Sequence, residues 1–182
     1  MRAFIAIELP ENLKKELAKI QENLKTYDLD FRWVEPENLH LTLKFLGKID
    51  EKQLPEIKKT IEEIVSGQKA FELSFKTLGF FPGIRKPRVF FISTDNQDLL
   101  QTLVERLEIK LEKIGFPAEG RFKSHLTLAR IKSSKNLGTL LQNLEKVSLE
   151  GVFTVKEIAV YESRLKPTGP VYEKIARISL TE

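Results

Sequence analysis

The chain contains two histidines, His40 and His125, and each opens the same four-residue phrase. His40-Leu41-Thr42-Leu43 is the first copy, and His125-Leu126-Thr127-Leu128 is the second. Successive side chains on a strand point to opposite faces. As strands, both phrases carry an imidazole and a hydroxyl on one face and two leucines on the other. The leucines suit a core, and the His–Thr face suits a cleft. If the phrases face each other, two imidazoles flank one space. One can act as general base and the other as general acid, because histidine titrates near neutrality. The threonine hydroxyls are donors for the non-bridging oxygens of an anion. A phosphodiester fits this set: one imidazole activates the attacking water, and the other protonates the departing oxygen. Half-buried strands with an ordinary polar face account for one such phrase. They account poorly for two that use every histidine in the chain.

A phosphate also needs a cation, and two stand near the phrases. Arg130 lies five residues after His125, and a guanidinium meets phosphate bidentately. Strict alternation puts Arg130 on the leucine face, so it reaches the cleft only where the strand bulges or ends. Lys44 has the parity of His40 and Thr42 and is the alternative cation. Phe45, the counterpart of Arg130 in the first copy, is either a core residue or a platform for a base.

The elements that must position these residues follow from the patterning. Strands are expected at Arg2–Leu9, Phe31–Val34, Leu39–Leu46, Ala70–Lys76, Arg88–Ser93, Ser124–Ile131, Gly151–Tyr161 and Val171–Leu180. Helices are expected over Glu11–Lys25, over a stretch led by Asp50 with Leu54, Ile57, Ile61 and Ile64 inward, over Gln97–Ile114 capped by Asp95, and over Asn136–Lys146. On the first helix Leu13, Leu17, Ile20 and Leu24 form the apolar stripe, and its Lys and Glu face solvent. Gly79–Pro87 reads as the most loop-like stretch, and Glu162–Pro170 as the link between the last two strands. Strand pairs joined by short turns imply antiparallel pairing. The expected fold is α+β, with two antiparallel sheets facing each other and helices outside. The phrases lie nearly half the chain apart, which suggests an approximate internal repeat.

Composition narrows the chemistry. With no cysteine, thiolate nucleophiles, thiolate metal sites and disulfides are excluded. Two histidines without metal-site spacing argue against a protein-bound metal, and no cofactor is expected. No stretch approaches the apolar length of a membrane span, and Glu8 interrupts the opening apolar run before any signal-peptide pattern develops. A cytoplasmic protein with no membrane attachment is expected. A monomer is expected too, since the helical stripes are used by the core. The net charge of +4 suits an anionic substrate but not a nucleic-acid coat.

The paired HxTx phrases resemble a known family. So do Glu37–Gly47 (ENLHLTLKFLG), Ser124–Arg130 (SHLTLAR), the opening RAFIAIELP and Tyr161–Leu165 (YESRL). The family is that of the RNA 2′,3′-cyclic phosphodiesterases, historically called 2′-5′ RNA ligases, in the two-histidine phosphoesterase superfamily. The resemblance runs from the first strand to the last. It implies a single bilobal, pseudo-twofold domain over residues 1–182, with a central cleft and one phrase from each half. It implies metal-independent hydrolysis of RNA 2′,3′-cyclic phosphate ends, tRNA fragments among them, to 2′-phosphomonoesters, with 2′-5′ ligation as the reverse reaction. By the family pattern His40 is the proton donor, His125 is the proton acceptor, Thr42 and Thr127 bind phosphate oxygens, and Arg130 assists. Phe45, Phe81, Tyr161 and Tyr172 are candidates to hold the terminal base, and Trp33 is assigned to the core. Loop Phe80–Lys86 and Arg164-Leu165-Lys166 are candidate RNA-backbone contacts. The competing readings are a non-catalytic nucleotide or RNA-end binding module and a phosphodiesterase for a small cyclic nucleotide.

Overall fold

The structure is a computed structural model that describes residues Met1–Glu182. Nine strands form two antiparallel sheets. The first sheet has the order β3-β1-β8-β9, built from β1 (Arg2–Glu8), β3 (His40–Lys48), β8 (Glu157–Lys166) and β9 (Gly169–Ser179). The second has the order β2-β6-β5-β4-β7, built from β2 (Phe31–Trp33), β4 (Phe71–Phe81), β5 (Val89–Thr94), β6 (His125–Ile131) and β7 (Val152–Val155). Each sheet therefore supplies one HxTx strand, and β3 packs against β6 where the sheets meet. Neither sheet is a continuous half of the chain. The first and last strands share a sheet, and β2 crosses over to pair with β6.

The helices are α1 (Glu11–Lys25), α2 (Leu54–Val65), α3 (Gln97–Glu112) and α4 (Leu137–Asn143). Their buried residues fall at helical spacing: Leu13, Leu17 and Leu24 on α1, Ile57, Ile61 and Ile64 on α2, and Leu100, Leu103, Val104, Leu107 and Leu111 on α3. Each such side chain contributes roughly 2 kcal/mol by leaving water. The α1 stripe is less pure than its leucines suggest, because Lys14 and Gln21 are buried beside them and Ile20 is only half-buried. No helix is long and apolar enough to cross a membrane.

The expected strand Gly151–Tyr161 is two strands, β7 and β8, which break at Lys156 and lie in different sheets. Three further expectations shift, each for a local reason. β4 continues through Gly79-Phe80-Phe81, because Gly79, Phe80 and Phe81 pair with Phe91, Phe90 and Val89. Gly79 suits this position, since a Cβ there would lie 2.7 Å from the Phe91 ring. The stretch Glu162–Pro170 is a β8–β9 hairpin rather than a link. Its ladder runs to Lys166 opposite Gly169, and Gly169 takes the positive φ of the turn. Asp95 does not cap α3. Its carboxylate accepts from the Ser74 backbone N–H across the β4–β5 end, and Asn96 precedes the helix in a left-handed conformation.

Gly79→Ala forces a methyl into the Phe91 ring, which is itself stacked on Phe81. Overpacking of this kind costs about 1–3 kcal/mol. Denaturant unfolding of Gly79→Ala should show that loss, and wild-type stability would contradict the tight approach of β4 to Phe91.

Candidate active site

The two HxTx strands share a defect as well as a sequence. Against β1, Ala6 pairs with Thr42 and Ile5 with Lys44, which leaves Leu43 as an extra residue. Against β5, Phe91 pairs with Thr127 and Phe90 with Ala129, which leaves Leu128 extra. A bulge of one residue reverses the in-and-out alternation beyond it. Leu43 and Lys44 are accordingly both buried, and Phe45 is exposed. In the second copy Leu128 and Ala129 are both buried, and Arg130 is exposed. The bulges carry Phe45 and Arg130 onto the face of His40–Thr42 and of His125–Thr127.

This corrects the assignment of Lys44 as a cleft cation. Lys44 is 1% exposed. Its ammonium donates to the Pro117 carbonyl at 2.8 Å and lies 3.8 Å from the Glu108 carboxylate. It ties β3 to α3 and the segment that follows it. Arg130 instead exerts its charge on His125 of its own strand and on Tyr172 of the other sheet.

The two imidazoles are held in the same way. His40 Nδ1 lies 2.6 Å from the Asn38 carbonyl, and His125 Nδ1 lies 2.7 Å from the Lys123 carbonyl. A carbonyl only accepts, so each Nδ1 carries the proton and donates. In the neutral ring Nε2 is then the basic nitrogen. His40 Nε2 is 2.8 Å from the Thr42 hydroxyl. These carbonyls belong to the residues two before each histidine, where no side-chain type announces them.

Aromatic rings enclose both histidines. The Phe4 ring stacks on His40 at 4.7 Å, and Tyr172 meets its edge at 5.2 Å. Phe81 and Phe91, stacked on each other at 4.1 Å, meet His125 edge-on at 4.9 and 5.6 Å. Lys123 sits against both of these phenyl faces. Tyr161 is 8% exposed, stacked on Phe4 and flanked by the Lys174 ammonium. It backs the His40 pocket and presents little surface to a base, whereas Phe45 is 58% exposed. Trp33 packs with Phe31 and Phe90, away from both histidines. Arg164 is paired with Glu162 and Glu173, and exposed Leu165 lies at the hairpin tip beside it.

Two cavities open near the site, and of the histidines only His40 lines one of them. One of about 260 Å³ is lined by His40, Glu8, Lys14, Tyr161, Tyr172 and Lys174. Within it Lys174 bonds Glu8 and Glu157, and Lys14 lies 3.6 Å from Glu8. Burial alone would raise the Glu8 carboxyl, but Lys174 and Lys14 hold it below the usual range. The other cavity, of about 590 Å³, opens beside Phe91, Ser93, Gln97 and Lys123.

Both imidazoles titrate low. Burial is the main cause for His40, with the Asn38 carbonyl opposing it, and Lys14 and His125 push the pKa further down, to about 4. Burial also lowers His125, against the Lys123 carbonyl, and the charges of Lys123 and Arg130 add to the effect. Burial raises Tyr161 to about 12, so its hydroxyl stays neutral. With His40 and His125 both neutral near pH 7, the surplus positive charge favours an anion.

The comparisons with known proteins agree with this geometry. The chain matches the family described as LigT-like phosphoesterase over residues 7–91 and again over residues 90–172. It is 39% identical to an RNA 2′,3′-cyclic phosphodiesterase of Methanocaldococcus jannaschii, covering 96% of this chain and 98% of that protein. It is 36% identical to the protein of the same name from Methanothermobacter thermautotrophicus, covering 94% of this chain and 95% of the relative. Among solved structures it is similar to TT0787 of Thermus thermophilus, with TM-score 0.81, 29% identity and coverage of 99% and 98%. It also shares the fold of E. coli LigT, with TM-score 0.79, 23% identity and coverage of 100% and 98%. The α+β scaffold is that of a two-histidine phosphoesterase. The chain belongs to the LigT-like phosphoesterase family.

Two outcomes follow. The His40 ring protons should titrate by NMR with a midpoint near 4 in the free protein and at higher pH once inorganic phosphate is added; a midpoint near 6.5 in both would contradict the buried, cation-flanked site. Lys44→Ala should cost about 3 kcal/mol in thermal or denaturant unfolding, because it leaves Glu108 partly buried without its partner. Phosphate affinity should be unchanged in that variant, and a loss of affinity would return Lys44 to the cleft.

Proposed function

We propose that this protein hydrolyses 2′,3′-cyclic phosphate ends of RNA to 2′-phosphomonoesters, with His125 as general base and His40 as general acid and without a metal. The single observation that carries the reading is the matched pair of imidazoles. Each comes from a bulged strand of a different sheet, and each is locked through Nδ1–H to a main-chain carbonyl, which reserves Nε2 for proton transfer. The names of the relatives supply the substrate class.

In this reading His125 Nε2 takes a proton from water as its oxygen attacks phosphorus. The bond from phosphorus to the 3′ oxygen breaks, and His40 Nε2–H protonates that oxygen. The products are a 2′-phosphate and a 3′-hydroxyl. His125 ends protonated and His40 neutral, and exchange with solvent resets both. When His40 Nε2 gains its proton it no longer accepts from the Thr42 hydroxyl, which is then free to donate to a phosphate oxygen while Nε2–H turns to the leaving oxygen. Thr127 and the Arg130 guanidinium hold the other non-bridging oxygen. The arriving anion offsets Lys14, Lys123 and Arg130, which raises the imidazole pKa values and supplies the protonated acid. With an RNA 5′-hydroxyl in place of the attacking water, the same sequence makes a 2′-5′ linkage: its oxygen bonds phosphorus as His125 takes its proton, and the bond to the 3′ oxygen breaks as His40 protonates that oxygen. Phe45 is the exposed aromatic available to the terminal base. Residues 1–182 act as one bilobal domain and as a monomer in the cytoplasm.

An oligonucleotide ending in 2′,3′-cyclic phosphate, incubated with the protein in excess EDTA, should give the 2′-phosphate isomer. His40→Ala and His125→Ala should each lose about a thousandfold in rate, the range for a positioned acid or base. Full activity of either variant would overturn the paired mechanism, and activity that requires added metal would overturn the metal-independent one.

A further inference from the structure

Gln21 lies on α1, 2% exposed, and its side chain spans a long stretch of sequence to reach β6. Its amide nitrogen donates to two main-chain carbonyls, that of Val34 at 2.8 Å and that of Leu128 at 3.1 Å. Leu128 is the extra residue of the β6 bulge. Its carbonyl also accepts from the Val34 backbone N–H at 2.9 Å. The β2–β6 ladder resumes at the next residue, with Trp33 opposite Ala129 and Arg32 opposite Arg130. One side-chain amide thus clips the end of β2 to the bulged residue, at the step where the alternation of β6 reverses.

The bulge decides what faces the cleft. Without it Ala129 would take that face and Arg130 would point into the core, since a one-residue slip exchanges the faces of a strand. A bulge leaves main-chain groups outside the regular ladder, and buried groups of that kind need partners. Gln21 supplies one from α1. In the β3 bulge the residue carried outward is Phe45, which has no charge to aim.

We propose that Gln21 is a positioning residue for phosphate binding. By bonding the Leu128 and Val34 carbonyls it holds the β6 bulge, and through the bulge it holds the Arg130 guanidinium in the cleft. This rests on the reading of Arg130 as the phosphate clamp. Its signature is coupling between two residues that do not touch: displacing a reacting group by about 1 Å can cost a hundredfold, and linked residues show non-additive losses.

The test is a double-mutant cycle read by KM and kcat on the cyclic-phosphate oligonucleotide and by the Kd for inorganic phosphate. Gln21→Met keeps the length and removes the donor. It should raise KM and phosphate Kd about tenfold with little change in kcat, while Arg130→Ala alone loses more. In the Arg130→Ala background Gln21→Met should have almost no further effect on Kd. Additive losses, or a fall in Tm with unchanged Kd, would overturn the proposal and leave Arg130's role standing. If Arg130→Ala itself leaves phosphate Kd unchanged, the clamp reading fails and the proposal fails with it. Where Gln21→Met does not fold, Gln21→Asn, which withdraws the amide by one methylene, should show the same coupling, and its absence is equally decisive.

Discussion

The bulge at Leu43 in β3 and the bulge at Leu128 in β6 determine which side chains reach the cleft. Leucines before each bulge and small or tethered residues after it stay in the core, while His40, Thr42 and Phe45 on one strand and His125, Thr127 and Arg130 on the other turn outward. Two leucines on one face already anchor each strand. A bulge then lets the same strand deliver a further residue to the cleft without breaking the leucine seam. The core depends on these defects as much as the site does, because Lys44 is drawn inward by the same reversal and must find Pro117 and Glu108 there.

The electrostatics follow from that placement. Both imidazoles are partly dehydrated and lie near fixed positive charge, so protonation is disfavoured until negative charge arrives. The Nδ1–H bonds to Asn38 and Lys123 settle which nitrogen is left for chemistry. The pocket around His40 is the drier and more aromatic of the two, with Phe4, Tyr161 and Tyr172 around the ring and the Glu8–Lys174 pair beneath. Similar phrases thus sit in unlike surroundings, a condition that lets two identical groups take different roles.

Much of this was legible in the sequence. The period-two alternation of the HxTx phrases separated the leucine face from the His–Thr face, and the spacing of Leu100, Leu103, Leu107 and Leu111 marked α3 to within two residues. Alternation could not reveal the bulges, because a bulge is set by what the neighbouring strand pairs with. Alternation alone therefore leaves Arg130 on the leucine face unless the strand bulges and offers Lys44 as the alternative cation, whereas the bulges leave Arg130 exposed and bury Lys44. The ends of β4 and of the β8–β9 hairpin were missed because Gly79 and Pro170 read as turn residues. Their roles there are a close approach to Phe91 and a rung opposite Leu165, one before the ladder ends. Gln21 carries no sequence signal at all, since its partners are main-chain carbonyls at distant positions.

The central claim is that two imidazoles with depressed pKa values share the proton transfers. The pH dependence of kcat/KM on a 2′,3′-cyclic phosphate oligonucleotide reports the essential acid and base of the free protein. Because one histidine must be protonated and the other neutral, the rate should fall on both sides of an optimum. Because both pKa values lie below 6.5, that optimum should fall on the acid side of 6.5, with protonation of the base His125 causing the fall at low pH and deprotonation of the acid His40 causing the fall at high pH. A rate that climbs steadily into alkaline pH, with no fall above neutrality, would contradict paired-histidine catalysis.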